Sequence, residues 1–254
     1  MTDEILYEKR NAIAYITINR PEARNAFHPG MNARLRDVLL DYRDDPELRV
    51  GILTGVGDVS FSAGQDLKWR NLVNQGMAAV AAPVGQDFPE VWKPLIAAIN
   101  GYCIAGGLER ALQCDIRIAA EHATFAVTEA RFSQGLSYAL PDLMGNLSTG
   151  DALSLMLTGE RISAQEAMRI GLVQKVVPYA ELMATAEQVA ESIKLGAPLV
   201  VSMIKQVTIT NRKLQGAPGA RLQEAIMERV KVSEDAREGP RAFAEKRPPV
   251  WKGR

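Results

Sequence analysis

Through roughly its first 178 residues the chain alternates between two kinds of pattern. Short apolar runs recur at Ala12 to Ile18, Val50 to Thr54, Leu95 to Ile99, Ile116 to Ala120, Ala123 to Val127 and Val173 to Val177. Each has the length of a buried strand and is too short for a buried helix. Helical patterns lie between them. The clearest begins with Ser163 and Glu166 at capping-box spacing and stops at Gly171. Regular alternation of this kind predicts an α/β architecture. Beyond about residue 178 the strand signals cease and three helical segments follow. One aligns Leu182, Ala186, Val189 and Ile193 and ends at Gly196; the next places Pro198 in its first turn and carries Leu199, Val200, Met203, Ile204 and Val207. The last is predicted from near Gly219 to Glu238, with Leu222, Ile226 and Val230 aligned. These stripes fit packing on the α/β body or on another subunit, and the pattern leaves both open. Gln75 to Asp87, rich in Ala and Gly, reads as a mobile loop or a weak helix.

A chain of 254 residues with 47% hydrophobic side chains can bury roughly 70 to 75% of its unfolded surface, so it needs no disulfide or metal staple. Cys103 and Cys114 have no neighbours at zinc-site spacing, and no metal site is expected. Thirty basic residues balance thirty acidic ones, which removes the usual electrostatic case for a nucleic-acid or anionic-membrane binder. The opening residues lack the basic-then-apolar pattern of a signal peptide, and no apolar run approaches the ~18 residues of a membrane span. A soluble, cytoplasmic protein is expected, with no nucleic-acid or membrane partner.

Several familiar chemistries lack their residues. Gly55-Val-Gly57 begins like a dinucleotide fingerprint, but the third glycine is missing and no helix opens after it. There is no phosphate loop and no nucleophile elbow. The only histidines, His28 and His122, read as surface or capping residues.

Two turns remain. Gly106-Gly107-Leu108-Glu109 follows an apolar strand and a short link from Asn100 to Ala105, and looks like a helix opened by glycines. Glycines let a backbone approach a ligand closely, and the free N–H groups of a helix start favour an oxygen on which negative charge develops. Glu109 falls in that first turn, where a carboxylate also simply suits the helix dipole. Phe61-Ser62-Ala63-Gly64-Gln65-Asp66-Leu67-Lys68 is a second turn leading into a helix, with Asp66 placed as its cap. Glu129 lies just beyond the strand Ala123 to Val127.

These segments, together with Asn19 to Ala26, Lys93 through Asp115, Leu157 through Val173 and Phe243-Ala244-Glu245-Lys246-Arg247, resemble the enoyl-CoA hydratase (crotonase) family over nearly the whole chain. The resemblance implies a spiral of ββα units over residues 1–195 and a C-terminal helical trimerisation region over 196–254, assembled as a homotrimer or dimer of trimers. It implies an oxyanion hole made by the backbone N–H groups of Gln65 and Gly106, and two catalytic glutamates, Glu109 and Glu129, twenty residues apart. One would act as base toward water while the other supplies a proton to the α-carbon; the resemblance leaves their allocation open. Ala63, Gly64 and Asp66 would shape the coenzyme A path, with Lys68 and Arg24 near the phosphates and Lys246 contributing from a neighbouring subunit. No separate cofactor is implied, since coenzyme A arrives as part of the acyl-CoA substrate.

The expected activity is hydration of an α,β-unsaturated acyl-CoA thioester. Alternatives are another reaction of the family (hydroxyacyl-CoA dehydration, isomerisation, thioester hydrolysis) or a non-catalytic CoA-ester or RNA-binding relative. One segment departs from the pattern: after Glu129 the family's glycines are largely replaced in Ala130 through Pro141, which predicts a bulkier acyl-binding wall, with Phe132 and Tyr138 as candidate lining or core residues.

Overall fold

The computed structural model describes residues 3–77, 88–132, 145, 147–213, 225–226 and 228–254. The six apolar runs all become strands. The larger sheet takes β1 (Ile5–Arg10), β2 (Ile13–Ile18), β3 (Val50–Gly55), β5 (Leu95–Ile99), β7 (Ile116–Ala120) and β10 (Lys175–Val177), in that order. All its pairs are parallel except β1 with β2, which are joined by a hairpin whose Asn11 and Ala12 both have positive φ, 52° and 60°. A turn of that hand matches the twist of the two strands. β1 was not legible as a strand because only Ile5 along it is buried; its charged Glu8, Lys9 and Arg10 protect an exposed edge.

The inner strands read as continuous apolar runs because both faces are covered. Ala14, Ile16, Leu53, Ala97, Ile99 and Ala119 share one core with Met31, Leu35, Val38, Leu39 and Tyr42 of α1 (Pro29–Asp44). The alternate residues Ile13, Val50, Ile52, Ile96, Ala98 and Ile118 form a second core under α6 (Leu182–Lys194), with Leu182, Ala186 and Ala190.

A smaller sheet sits beside the first: β4 (Ser60–Ser62), β6 (Tyr102–Ile104), β8 (Thr124–Ala126) and β9 (Ile162–Ser163), in that order. From β3 to β8 successive strands of the chain thus alternate between sheets. β3 and β4 lead to α2 (Leu67–Asn74), β5 and β6 to α3 (Gly106–Leu112), and β7 and β8 to a 3-10 turn at Glu129–Phe132; α4 (Thr149–Thr158) follows. This is the expected spiral of ββα units. β6 corrects the reading of Asn100 to Ala105 as a mere link: three residues are too few to show a period. Likewise, Val173 and Leu172 are core residues before β10, whose strand begins only at Lys175.

The capping box at Ser163 is half formed. Ser163 accepts from the Glu166 N–H and caps α5 (Ala164–Arg169), but Glu166 turns to Arg169 at 2.6 and 2.8 Å instead of reaching back. α7 (Pro198–Lys213) starts at its proline and has no buried residue among those described; Ile204 is 57% exposed. The final helix differs from the expectation. A helical segment ends at Lys231, a bend follows, and α8 (Glu234–Ala244) starts anew because the Ser233 hydroxyl accepts from the Ala236 N–H. The predicted start near Gly219, most of the segment Gln75 to Asp87, and residues 133–141 of the altered wall lie outside the described residues. Among the described residues, no single helix is long and apolar enough to cross a membrane.

Candidate active site

β4, β6 and β8 are neighbours and parallel, so the segments leaving them emerge at one edge of the small sheet. With about 4.8 Å between adjacent strands, this edge brings together the segments that carry the residues singled out for catalysis. The turn Ala63–Asp66 leaves β4, the start of α3 leaves β6, and Glu129 follows β8 by three residues.

The two turns are in direct contact. Gly64, with φ +88°, lies so close to the second turn that an added Cβ would sit 2.9 Å from the Gly106 nitrogen and 2.9 Å from the Ile104 carbonyl oxygen. Gly107 is tighter still, since a Cβ there would meet the Ser62 carbonyl oxygen at 2.2 Å. Packing thus demands glycine at both positions, and at Gly64 the backbone conformation does so too. Between the turns lies Ala105, held at φ 53° and ψ −125° and hydrogen-bonded through its N–H to the Ala126 carbonyl at 2.8 Å. A residue with a Cβ in that region stores about 1–3 kcal/mol of strain, which accumulates where a site fixes its geometry.

The first turn is clasped from outside. Phe27 donates to the Gly64 carbonyl at 2.7 Å and accepts from the Asp66 N–H at 2.9 Å, in a parallel bridge opposite Gln65. That pairing uses the groups either side of Gln65 and leaves its own N–H outside the ladder. As the first residue of α3, Gly106 likewise has no carbonyl one turn back to receive its N–H. Asn25 and Ser62 complete the clasp: Asn25 Nδ2 donates to the Ser60 carbonyl at 2.7 Å, and the Ser62 hydroxyl bonds the Asn25 carbonyl and accepts from the Gly64 N–H. These supporting residues were not found from sequence, where each reads as an ordinary turn former.

Asp66 caps α2 as expected, accepting from Lys68 and Trp69 N–H groups at 2.9 and 3.2 Å. It also pairs with Arg20 at 2.7 Å. Burial works to raise its pKa, but Arg20 and the helix amides outweigh it and the net shift is downward. Its carboxylate is therefore committed to structure. Lys68 lies exposed in the first turn of α2, whereas the Arg24 guanidinium stacks 5.6 Å from the Tyr102 ring, which Arg161 also approaches at 5.1 Å. Lys246 is exposed beyond the end of α8. His28 caps α1 and bonds Glu4, and His122 bonds backbone carbonyls, so both histidines are structural.

The two glutamates differ in environment. Glu109 is 3% exposed, one helical turn past Gly106. Glu129 is half-buried; its Oε2 is shielded from solvent and finds no hydrogen-bond partner among the described residues. Burial raises its pKa, with its own and the Thr128 amide pulling the other way. Two carboxyls in environments this different, one with its pKa raised by burial and one in the first turn of a helix, are of the kind that can divide acid and base work.

The chain matches known proteins along nearly its whole length. A sequence model of the enoyl-CoA hydratase/isomerase family covers residues 8–254, and the chain belongs to that family. It is 38% identical to the (E)-benzylidenesuccinyl-CoA hydratase of Thauera aromatica, covering 98% of this chain and 99% of that protein. It is also 38% identical to the carnitinyl-CoA dehydratase of Salmonella typhi over 100% of both. Among solved structures, an enoyl-CoA hydratase from Mycobacterium tuberculosis H37Rv superposes with a TM-score of 0.91 at 35% identity, covering 99% of each chain. One from Bacillus anthracis gives 0.90 at 32%, covering 99% of this chain and 100% of that one.

Proposed function

We propose that the chain is a hydro-lyase that adds water reversibly across the α,β double bond of an acyl-CoA thioester. The observation that carries this reading is the gathering of Gln65, Gly106, Glu109 and Glu129 at the ends of three adjacent parallel strands. The two related proteins named above, a hydratase and a dehydratase of CoA esters, support water transfer over the other chemistries of the family.

In this reading the thioester oxygen accepts from the Gln65 and Gly106 N–H groups, which stabilise the enolate without solvent reorganisation; one such donor contributes about 3–4 kcal/mol. Ionised Glu109 takes a proton from water as its oxygen bonds to the β-carbon. Glu129, whose pKa burial raises, gives its proton to the α-carbon. Each glutamate ends in the other's starting state, and proton exchange with solvent resets the pair. Dehydration runs the same steps backward. Coenzyme A is carried by the substrate; Ala63, Gly64 and Asp66 shape its path through their backbone, and Lys68 and Arg24 supply positive charge toward its phosphates.

A panel of enoyl-CoA esters, followed by loss of conjugated absorbance, tests the assignment. Hydration of none of them overturns it. The pH dependence tests the allocation of roles. Since the hydration step needs Glu129 protonated, kcat declines as pH rises through its raised pKa, and Glu129→Gln removes that alkaline limb while lowering kcat. Stability follows the same sign: the protonated form is favoured by folding, so Glu129 destabilises the native state progressively as pH rises through its folded pKa. Glu129→Gln accordingly melts higher than wild type at neutral pH. A wild-type kcat in that variant removes Glu129 from the mechanism.

Residues 196–254 form the oligomerisation region in this reading. α7 leaves Ile204 uncovered, and Leu195 and Val232 near its flanking segments are 77% and 73% exposed. Sedimentation at micromolar concentration is expected to return a homotrimer or a dimer of trimers, and a monomer alone contradicts it.

A further inference from the structure

The largest fully buried side chain in the described protein is a charged one, Arg110, at 1% exposure. It is the residue after Glu109 on α3. Its Nη2 donates to Asn32 Oδ1 on α1 at 3.0 Å and its Nη1 to Gln113 Oε1 at 3.2 Å. The guanidinium also lies 5.5 Å from the ring of Phe27 and 5.6 Å from that of Phe88. Burying a cation costs desolvation that its contacts must offset, and removing Arg110 alone would leave Asn32 Oδ1 and Gln113 Oε1 without this donor. A cation carried to this depth asks for a reason beyond filling space.

Geometry gives one. Phe27 is the residue whose N–H and C=O clasp the turn on either side of Gln65, while α3 opens with Gly106. Arg110 thus joins the element bearing one spare amide to the residue that holds the other, and its bond to Asn32 ties both to α1. We propose that Arg110 is a positioning residue that keeps the Gln65 and Gly106 amides in register for the thioester oxygen. The proposal rests on the hydratase reading given above. A planar fork that stacks on rings while donating to two separate acceptors suits this task, and lysine cannot reproduce it. Misplacing a catalytic group by about 1 Å costs on the order of 100-fold in rate, so a small loss of register suffices.

The test compares wild type with Arg110→Met, Arg110→Lys and Asn32→Ala by thermal melting, kcat, KM and the absorption band of bound p-aminocinnamoyl-CoA, which shifts to the red as its carbonyl is polarised. Arg110→Met is expected to melt lower than wild type, because Asn32 Oδ1 and Gln113 Oε1 lose a donor, but to keep KM within about three-fold. Its kcat should fall by about 10- to 100-fold, with a smaller red shift of the bound probe. Arg110→Lys restores neither kcat nor the shift, and Asn32→Ala moves both in the same direction by less. A folded Arg110→Met with wild-type kcat and band position overturns the proposal. Should that variant not fold, wild-type kcat and band position in Asn32→Ala overturn it. If wild type hydrates its substrate yet gives the probe no red shift, the assignment of the amides fails, and this inference fails with it; wild-type behaviour of the variants alone refutes only Arg110.

Discussion

Glu109→Gln is expected to lower kcat for hydration by about 10²- to 10⁴-fold, the range for removing a positioned general base, while KM stays within a few-fold. Glutamine keeps the volume and most of the hydrogen-bonding capacity of a side chain that is only 3% exposed, so the α3 packing around it persists. What it lacks is the ability to take a proton from water. The competing account of Glu109 is a carboxylate that merely complements the start of a helix, a role contributing about 0.3–1 kcal/mol to stability and nothing to rate. The two accounts separate cleanly. A folded variant with unchanged kcat leaves Glu109 as a helix-start carboxylate, whereas a large kcat loss with retained substrate binding makes it the base. Performing the measurement in the dehydration direction adds a check: the same residue then acts as the acid, so both directions must lose rate together.

Much of this arrangement was legible because the signals are local. Leu95 to Ile99 is apolar at every position and Val50 to Leu53 carries no polar side chain, since both faces of their sheet are covered, and such runs announce themselves. The glycines before Leu108 and the cap at Asp66 also speak from within one turn. What stayed hidden depends on partners far along the chain. Asp66 reads as a helix cap and is one, but it also pairs with Arg20 46 residues away, and no spacing rule connects those two. β4 and β6, at three residues each, are too short to carry a period, although their adjacency is what gathers the site. The unequal burial of the two glutamates arises from packing around each, which the identical letter in the sequence cannot record. Arg110 is the extreme case, since a charged residue on a helix is normally read as solvent-facing, and its burial depends on surroundings such as Phe27, Asn32 and Phe88, which are distant in sequence.

The contact between the two turns makes the second large prediction. Gly64→Ala is expected to reduce kcat by about 10²- to 10³-fold, the cost of losing one oxyanion donor. The new methyl would lie 2.9 Å from the Gly106 nitrogen and from the Ile104 carbonyl oxygen, so the turns must part. Some stability is lost as well, because φ +88° is unfavourable for alanine by about 1–2 kcal/mol. Gly57→Ala provides the control. Gly57 also has a left-handed backbone, φ +73°, but a Cβ there meets nothing within 4 Å. It carries the conformational cost without the collision. The pair is therefore expected to show comparable losses of melting temperature from backbone strain, with a further drop for Gly64→Ala from the clash, while only Gly64→Ala loses turnover. Equal, small effects of both substitutions on kcat would mean that the spacing of the Gln65 and Gly106 amides does not set the rate, because the one substitution that must separate them would have left catalysis intact.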